Sequence, residues 1–143
     1  MDSGIEFFSE VTDFELVEAE NVQSWLQDVV ISHGKRIQGL TYIFVDDEEL
    51  AEMNESILQH DTYTDILTFP LHDDGSENLM GDVFISVDRV RENSVLFNTG
   101  FENELHRVMV HGLLHLVGFD DLDDDSEAEM RAAEDFALSL RRF

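Results

Sequence analysis

The sequence predicts one small domain of mixed α and β structure, in which four strands pack with about five helices. Its 143 residues have the length of one ordinary domain, and we expect residues 1–143 to form that domain. Hydrophobic residues make up 43% of the chain, which is enough for a core. Short segments rich in β-branched and aromatic residues alternate with longer segments in which apolar residues recur at helical spacing.

The first part of the chain contains two predicted strands with a helix between them. Residues 5–8 are predicted to form a short strand. Residues 19–33 show a helical stripe of apolar residues, and Gly34 is expected to end that helix. Residues 40–45, LTYIFV, are few and rich in β-branched and aromatic side chains, which is typical of a strand.

A second helix is predicted to follow, capped by Asp46 or Asp47. The apolar residues expected on its inner face are Leu50, Met53, Ile57 and Leu58. Residues 64–69, TDILTF, are predicted to form a strand that Pro70 ends, because proline has no amide hydrogen to donate to a sheet. Residues 72–80 are polar and are predicted to form a loop.

The second half of the chain is mostly helical. The elements predicted there are a strand at residues 81–86 and helices at residues 88–96, 101–117 and about 127–140. Residues 101–117 give the strongest helical pattern, because five apolar residues recur there at the spacing of one helix face. Ser126 and Glu129 are expected to form a capping box for the last helix.

The charge of the chain is strongly negative, since 8 Lys and Arg against 33 Asp and Glu give a formal net charge of −25. Indiscriminate electrostatic binding to nucleic acid is not expected from such a chain, and neither is DNA binding. The absence of cysteine excludes disulfides and cysteine-ligated metals, and it fits a cytoplasmic location. The sequence shows no secretory signal and no apolar run of membrane-spanning length, so no membrane partner is expected.

Residues 111–121, HGLLHLVGFDD, carry the pattern of a metal site. His111 and His115 are four residues apart in the predicted helix, so their imidazoles lie on one face. Gly118 is expected to end the helix and turn the chain, which brings Asp121 toward the pair as a third ligand. Two neutral histidines and one carboxylate with an open fourth position are a known arrangement for catalytic zinc. The alternative is that both histidines simply pack beneath the sheet.

Gly112 stands where the zinc-protease motif HExxH has its glutamate, the general base of those enzymes. The predicted helix is therefore similar to the metal helix of a zincin but lacks its proteolytic base, which disfavours peptide hydrolysis. Glycine inside a helix costs about 1 kcal/mol relative to alanine. Two explanations account equally well for a glycine at position 112. One is close approach of a substrate or another backbone, and the other is packing of the helix against the sheet.

Three sequence blocks agree in order and spacing with one known family. The first is HGLLHLVGFDD, which is similar to the signature H-G-x-L-H-L-x-G-[YF]-D-H. The other blocks are Asn54 and Asp61 followed by TDILTFP at residues 64–70, and GDVFIS at residues 81–86. Over about residues 40–140 the chain thus resembles the YbeY family, bacterial endoribonucleases of ribosomal RNA maturation and ribosome quality control.

The resemblance implies a small α+β domain with a mixed sheet, and a hydrolase that cuts RNA in 16S rRNA processing in the cytoplasm. It also implies one ion per chain, usually zinc, on three histidines. The first two match His111 and His115, whereas Asp121 stands at the position of the third. A carboxylate also binds zinc, so the site is expected to persist, or else to be weakened or to prefer another, harder divalent ion.

Three candidate catalytic residues accompany the expected ion, which would activate the water that attacks an RNA phosphodiester. Asp120 is a candidate general base, with fixing of the turn or of a ligand as the alternative. Thr64 and Asp65 are candidates for lining the substrate groove, with ordinary hydrogen bonds at a strand end as the alternative. Family members commonly carry an arginine where this chain has Leu58, so a different contact with RNA is expected. Arg107 is expected to form a surface ion pair rather than to meet phosphate.

Acidic residues cluster between Asp120 and Glu129. One interpretation is a solvated helix N-terminus, where negative charge is favourable. The other is a surface that docks a basic ribosomal protein while RNA reaches only the metal cleft. Three functions follow from these observations. The resemblance favours an endoribonuclease over a non-catalytic ribosome-associated factor that keeps the metal-binding fold, and the missing proteolytic base counts against a metallohydrolase of peptides.

Overall fold

The computed structural model describes residues 4–58, 65–73 and 75–143, and only the backbone of residues 55–58. The elements follow in the order β1 (Ile5–Ser9), α1 (Ala19–Ser32), β2 (Arg36–Val45), α2 (Asp47–Leu58), β3 (Ile66–Pro70), β4 (Asn78–Ser86), α3 (Val87–Leu96), α4 (Phe101–Val117) and α5 (Asp124–Ser139). The predicted α+β domain with a mixed four-stranded sheet and five helices is confirmed. Within the described stretches, no helix combines the length and the apolar character needed to cross a membrane.

The sheet has the strand order β1-β2-β4-β3. β2 is parallel to both of its neighbours, and α1 lies in the crossover from β1, because parallel strands cannot be joined by a tight turn. β3 runs antiparallel to β4 and forms one edge of the sheet, with Leu67 opposite Phe84. α4 packs against both β3 and β4, so the strongest predicted helix lies beside this edge.

Two buried side chains tie the helices to the rest of the core through their polar ends. The hydroxyl of Tyr42 in β2 donates a 2.8 Å hydrogen bond to the carbonyl of Met109 in α4. The indole nitrogen of Trp25 in α1 donates one of 2.8 Å to the carbonyl of Ala137 in α5. A buried polar group without a partner is costly, so these bonds let large aromatic rings fill the core and fix the position of α4 and α5.

The structure corrects several predicted boundaries. β2 begins at Arg36 rather than at residue 40, because its first residues pair with β4. β4 begins at Asn78, so the predicted loop over residues 72–80 is wrong at its last three residues, where Asn78 pairs with Arg36 and Leu79 with Ile37. The predicted capping box is also wrong, because α5 begins at Asp124 and Asp123 caps it. The Asp123 carboxylate accepts a 2.7 Å hydrogen bond from the Ser126 amide, and the Ser126 hydroxyl accepts one from the Asp123 amide. In the last two places the polar residues suggested a loop, whereas the backbone belongs to a strand or a helix.

The start of α2 resolves the choice between two predicted caps. The Asp46 carboxylate accepts a 2.7 Å hydrogen bond from the Glu49 amide, so Asp46 is the capping residue. Of the predicted inner face, Leu50 is fully buried and Met53 half-buried. The side chains of Ile57 and Leu58 lie outside the described residues.

Gly112 is explained by packing against the sheet. A Cβ atom at this position would lie 2.8 Å from Ile66 Cδ1, 3.0 Å from Val83 Cγ1 and 3.2 Å from Thr68 Oγ1. These distances are too short for ordinary van der Waals contact, so only glycine lets α4 approach β3 and β4 this closely. Of the two explanations offered by the sequence, the structure supports sheet packing.

The environment of His106 on α4 leads us to expect that the stability of the fold depends on pH. Its ring is buried against Trp25 and accepts a 2.9 Å hydrogen bond from Arg141. Burial, and then the charge of Arg141, lower the pKa of His106 to about 4. The unfolded chain protonates this histidine near pH 6.5. The folded state therefore loses stability relative to the unfolded state as the pH falls from about 6.5 toward 4.

The expected size of this effect is about 2 kcal/mol in the free energy of unfolding between pH 7 and pH 5. It is measured by urea denaturation of the natural protein and of His106→Gln, which keeps a hydrogen-bond acceptor but cannot be protonated. The many carboxylates titrate alike in both proteins, so their contributions cancel in the comparison. Equal pH dependence of the two proteins would show that His106 is not held neutral by the fold.

Candidate metal centre

The end of α4 turns the chain back on itself at Gly118. This residue has a φ of 127°, a left-handed conformation that favours glycine. The amides of Gly118 and Phe119 both donate to the carbonyl of Leu114, at 3.1 and 3.0 Å, which closes the last turn of the helix. The following residues therefore run back beside the helix, and Asp121 returns to the level of the two histidines.

Three ligand-type atoms converge at this turn. His111 Nε2 lies 3.1 Å from His115 Nε2 and 3.4 Å from an Asp121 carboxylate oxygen, and His115 Nε2 lies 3.7 Å from the other oxygen. The side chains of His111, His115 and Asp121 are 24%, 30% and 38% exposed, so the point between them is open to solvent. Among the described residues this is the one group of three or more histidines and carboxylates that could hold a metal ion.

The hydrogen bonds behind the two imidazoles fix which nitrogen faces the centre. His115 Nδ1 lies 3.1 Å from the carbonyl of Phe119, which only accepts, so Nδ1 carries the proton. His111 Nδ1 lies 2.7 Å from the Glu134 carboxylate and likewise donates to it. In the neutral rings both Nε2 atoms then present lone pairs to each other and to Asp121, an arrangement that repels unless a metal cation or a proton lies between the two nitrogens.

The spacing of the three atoms fits a tetrahedral ion. Zinc binds nitrogen and carboxylate oxygen at about 2.0–2.2 Å, which places two tetrahedral ligand atoms about 3.3–3.6 Å apart. His111 Nε2 lies 3.1 Å from His115 Nε2 and 3.4 Å from one Asp121 oxygen, which is close to that range. With one ligand atom taken from each residue, all three atoms lie within 4.8 Å of one another. His111, His115 and Asp121 would therefore be able to hold one divalent ion, and their partly exposed side chains would leave it accessible to solvent.

Two open clefts meet at this centre. One, of about 650 Å³, lies between α3, α4 and α5. The other, of about 560 Å³, follows the edge strand β3. His111, Asp121 and Asp65 line both clefts, which places the candidate metal centre at their junction. A linear polymer can thus extend from the centre in two directions.

Comparison with known proteins places this architecture in a family. The family described as Endoribonuclease YbeY matches residues 7–141. The chain belongs to the endoribonuclease YbeY family. Proteins named Endoribonuclease YbeY from Cytophaga hutchinsonii and Bacteroides thetaiotaomicron are 44% and 41% identical to it over 140 and 125 residues. These alignments cover 96% and 87% of this chain, and 95% and 90% of the relatives.

A solved structure agrees with the fold. The solution structure of TM1509 from Thermotoga maritima matches with a TM-score of 0.69 at 30% identity, covering 95% of this chain and 87% of that protein. Membership of the YbeY family was predicted from three sequence blocks, and the family match confirms it. The mixed sheet beside the helix of the two histidines is therefore the architecture of a YbeY-family member.

Glu134 of α5 is the residue that sequence reasoning missed. It is only 5% exposed and joins His111 to Arg107, whose guanidinium donates to it at 2.8 Å. Arg107 also pairs with exposed Asp135 at 2.6 Å, so the predicted ion pair of Arg107 is present but half-buried. The position of Glu134 in its helix could have indicated a partner. It lies between the buried Ala133 and Ala137 on the inner face of α5, where an unpaired carboxylate would be costly.

Burial and neighbouring charges have opposing effects on the pKa values of the two histidines and of Glu134. Burial raises the pKa of Glu134, but hydrogen bonds from His111 and Arg107 outweigh it and hold that pKa below its usual value. Burial lowers the pKa of His111, but the bond and charge of Glu134, with Asp121 and Asp65, raise it overall. Burial and the charge of His111 lower the pKa of His115. The centre therefore combines an ionised acid behind one imidazole with a second imidazole that stays neutral.

The three candidate catalytic residues have different outcomes. Asp65 is half-buried at the junction of the two clefts, and burial raises its pKa even though His111 and Arg89 oppose that shift. Asp120 is exposed, and its carboxylate accepts a long 3.5 Å hydrogen bond from the amide of Leu122 within the turn. Thr64 lies outside the described residues, so its assignment stays a prediction.

Proposed function

We propose that this protein is a metal-dependent endoribonuclease that uses zinc or a similar divalent ion to hydrolyse RNA phosphodiesters. The observation that carries the proposal is the convergence of His111, His115 and Asp121 at the junction of two clefts. Relatives at 40–44% identity are named endoribonucleases, which supports RNA as the substrate. Two clefts suit an enzyme that cuts within a strand rather than at its end.

The protein residues prepare the site before substrate arrives. A divalent ion held there would lower the pKa of a water molecule and polarise a phosphoryl oxygen. Glu134 and the Phe119 carbonyl orient the two imidazoles through their Nδ1 atoms. Asp65 faces the same junction, and its raised pKa makes it a better proton acceptor than an exposed carboxylate. We assign Asp65 to orienting the attacking water and Asp120 to holding the turn.

The proposed biological setting is ribosomal RNA maturation, with 16S rRNA processing and ribosome quality control in the cytoplasm. The net charge of −25 opposes direct attraction of RNA, so the acidic surface is assigned to docking a basic ribosomal protein. The acidic first turn of α5 borders the cleft beside the metal centre, and its exposed Asp125, which does not line that cleft, supports this arrangement. RNA then reaches the centre while the protein partner supplies the attraction.

The proposal is tested with a circular single-stranded fragment of ribosomal RNA. Because a circle has no ends, only internal cleavage converts it to a linear product. We expect linear product with the zinc-loaded protein and none after chelation, with activity returning when the ion is restored. If the protein holds one ion per chain but does not cleave the circular ribosomal RNA, the result would instead support the function of a non-catalytic ribosome-associated factor.

A further inference from the structure

We propose that Phe97, Asn93 and Arg131 form a subsite for one unpaired RNA nucleotide beside the metal centre. The three residues line the larger cleft together with His111 and Asp121. The base stacks on Phe97, its edge meets the amide of Asn93, and a neighbouring phosphate meets Arg131. This inference rests on the proposed RNA-cleaving function and specifies how the substrate is held.

Phe97 is an aromatic ring placed on the cleft wall without a structural role in the core. It is 59% exposed, although the other residues at the end of α3 fix its backbone. Its amide donates a 2.8 Å hydrogen bond to the carbonyl of Asn93, which closes the last helical turn. An exposed aromatic ring on a cleft wall can serve as a stacking platform, and stacking of one base on an aromatic side chain contributes about 1–3 kcal/mol.

Asn93 lies one helical turn before Phe97, and residues four apart share a face of the helix. Its side chain is half-buried on the wall of the same cleft. In the part of the chain that the structure describes, the Asn93 amide group forms no hydrogen bond with another residue. It therefore has both donors and its acceptor available for the edge of a base stacked next to it.

Arg131 is the other arginine of this cleft, and its charge acts on Asp135 without a close ion pair. Arg107 is already engaged by Glu134 and Asp135 at 2.8 and 2.6 Å. Arg131 is exposed and, within the described residues, has no carboxylate within the 4.0 Å of an ion pair. In a chain with only 8 Lys and Arg, a cation placed this way beside the metal centre suits a substrate phosphate.

The acidic residues of the same cleft determine how this subsite works. Asp124 and Glu127 line it near Arg131, so long-range attraction of a polyanion is weak there. Binding must then come mainly from stacking and hydrogen bonds, which are less sensitive to salt than phosphate contacts. A base paired in a helix cannot stack on Phe97, so the subsite selects RNA with an unpaired nucleotide next to the cleavage point.

The test uses zinc-loaded protein and a short single-stranded RNA that carries one fluorescent 2-aminopurine. A dye at one end of the RNA reports binding by stopped-flow anisotropy before turnover, and quenching of the 2-aminopurine reports stacking. Cleavage is followed on gels from the same mixtures. We expect Phe97→Ala to weaken binding about tenfold and to abolish the quenching of the stacked base. The control Phe136→Ala removes a similarly exposed phenylalanine of α5 that is not on the cleft wall, and should stay within twofold of the natural protein.

Arg131 is tested in the same way against Arg142, an exposed arginine outside the cleft. Arg131→Gln should weaken binding about fivefold. It should also reduce the slope of the logarithm of the binding constant against the logarithm of salt concentration by about one, while Arg142→Gln leaves both quantities unchanged. An RNA that is abasic at the probe position should bind natural protein and Phe97→Ala equally.

The outcomes separate this subsite from the proposed function. Normal cleavage by Phe97→Ala with unchanged binding, or equal losses in Phe97→Ala and Phe136→Ala, would overturn the subsite and leave the endoribonuclease. Quenching that depends on Phe97 in a protein that never cleaves RNA would support the subsite and remove the proposed function.

Discussion

Replacing His111 with alanine should reduce the rate of RNA cleavage at least about a thousandfold. The reason is that the ion supplies several kcal/mol of stabilisation to the transition state, and each 1.4 kcal/mol corresponds to a factor of about ten in rate. His111 contributes one of the three donor atoms that lie within 4.8 Å of one another, so its loss leaves an incomplete site. His115→Ala should have a similar effect, and the rate is measured with zinc at saturation.

Asp121→Ala offers the sharpest comparison because the same segment contains a matched acid. Asp121 lies 3.4 and 3.7 Å from the two imidazoles, whereas Asp125 is an exposed residue in the first turn of α5. Asp121→Ala should lose both the ion and the activity, and Asp125→Ala should keep both. If Asp121→Ala retains full ion content and rate, the carboxylate is not a ligand.

Glu134→Gln should weaken zinc binding by about ten- to a hundredfold, the usual range for groups that orient a metal-bound histidine. The buried Glu134 carboxylate accepts a hydrogen bond from His111 Nδ1 at 2.7 Å and another from the half-buried Arg107. Glutamine has a single accepting oxygen, so it cannot replace both of the carboxylate oxygens that accept hydrogen bonds from His111 and Arg107, and the imidazole loses its ionised partner. Affinity is measured by competition with a chromophoric chelator, and folding is checked by thermal denaturation.

Asp135→Asn is the control for this prediction. Asp135 is the other partner of Arg107, at 2.6 Å, but it is exposed and does not contact His111. The control should therefore bind zinc as the natural protein does. Equal losses of affinity in the two variants would mean that Glu134 acts through Arg107 and general stability, and not through the imidazole.

The parts of the fold that the sequence predicted best are those with a strong period and a clear end. The helix predicted at residues 101–117 matches α4, because apolar residues recur at helical spacing and glycines stand at both ends. The same period placed His111 and His115 on one face, and Gly118 predicted the return of Asp121 toward them. Local rules were sufficient for these residues because helix geometry alone fixes their spacing.

The features that the sequence did not predict depend on contacts between distant segments. The first residues of β4 are ordered by pairing with β2, which no local pattern at Asn78 reveals. Glu134 is one of 33 acids, and its importance depends on a partner 23 positions earlier in the chain. The cleft that carries Phe97 arises from the packing of α3, α4 and α5, so its exposed ring has no signature in the sequence.

The most direct measurement is X-ray absorption spectroscopy at the zinc edge on protein loaded with zinc and then dialysed. We predict one zinc per chain, bound by two imidazole nitrogens and by oxygen at about 2.0–2.2 Å. In His115→Ala, any zinc that remains after dialysis should be coordinated by one imidazole per ion instead of two. Protein that keeps no zinc after dialysis, or zinc surrounded by oxygen alone, would contradict the assignment of this centre.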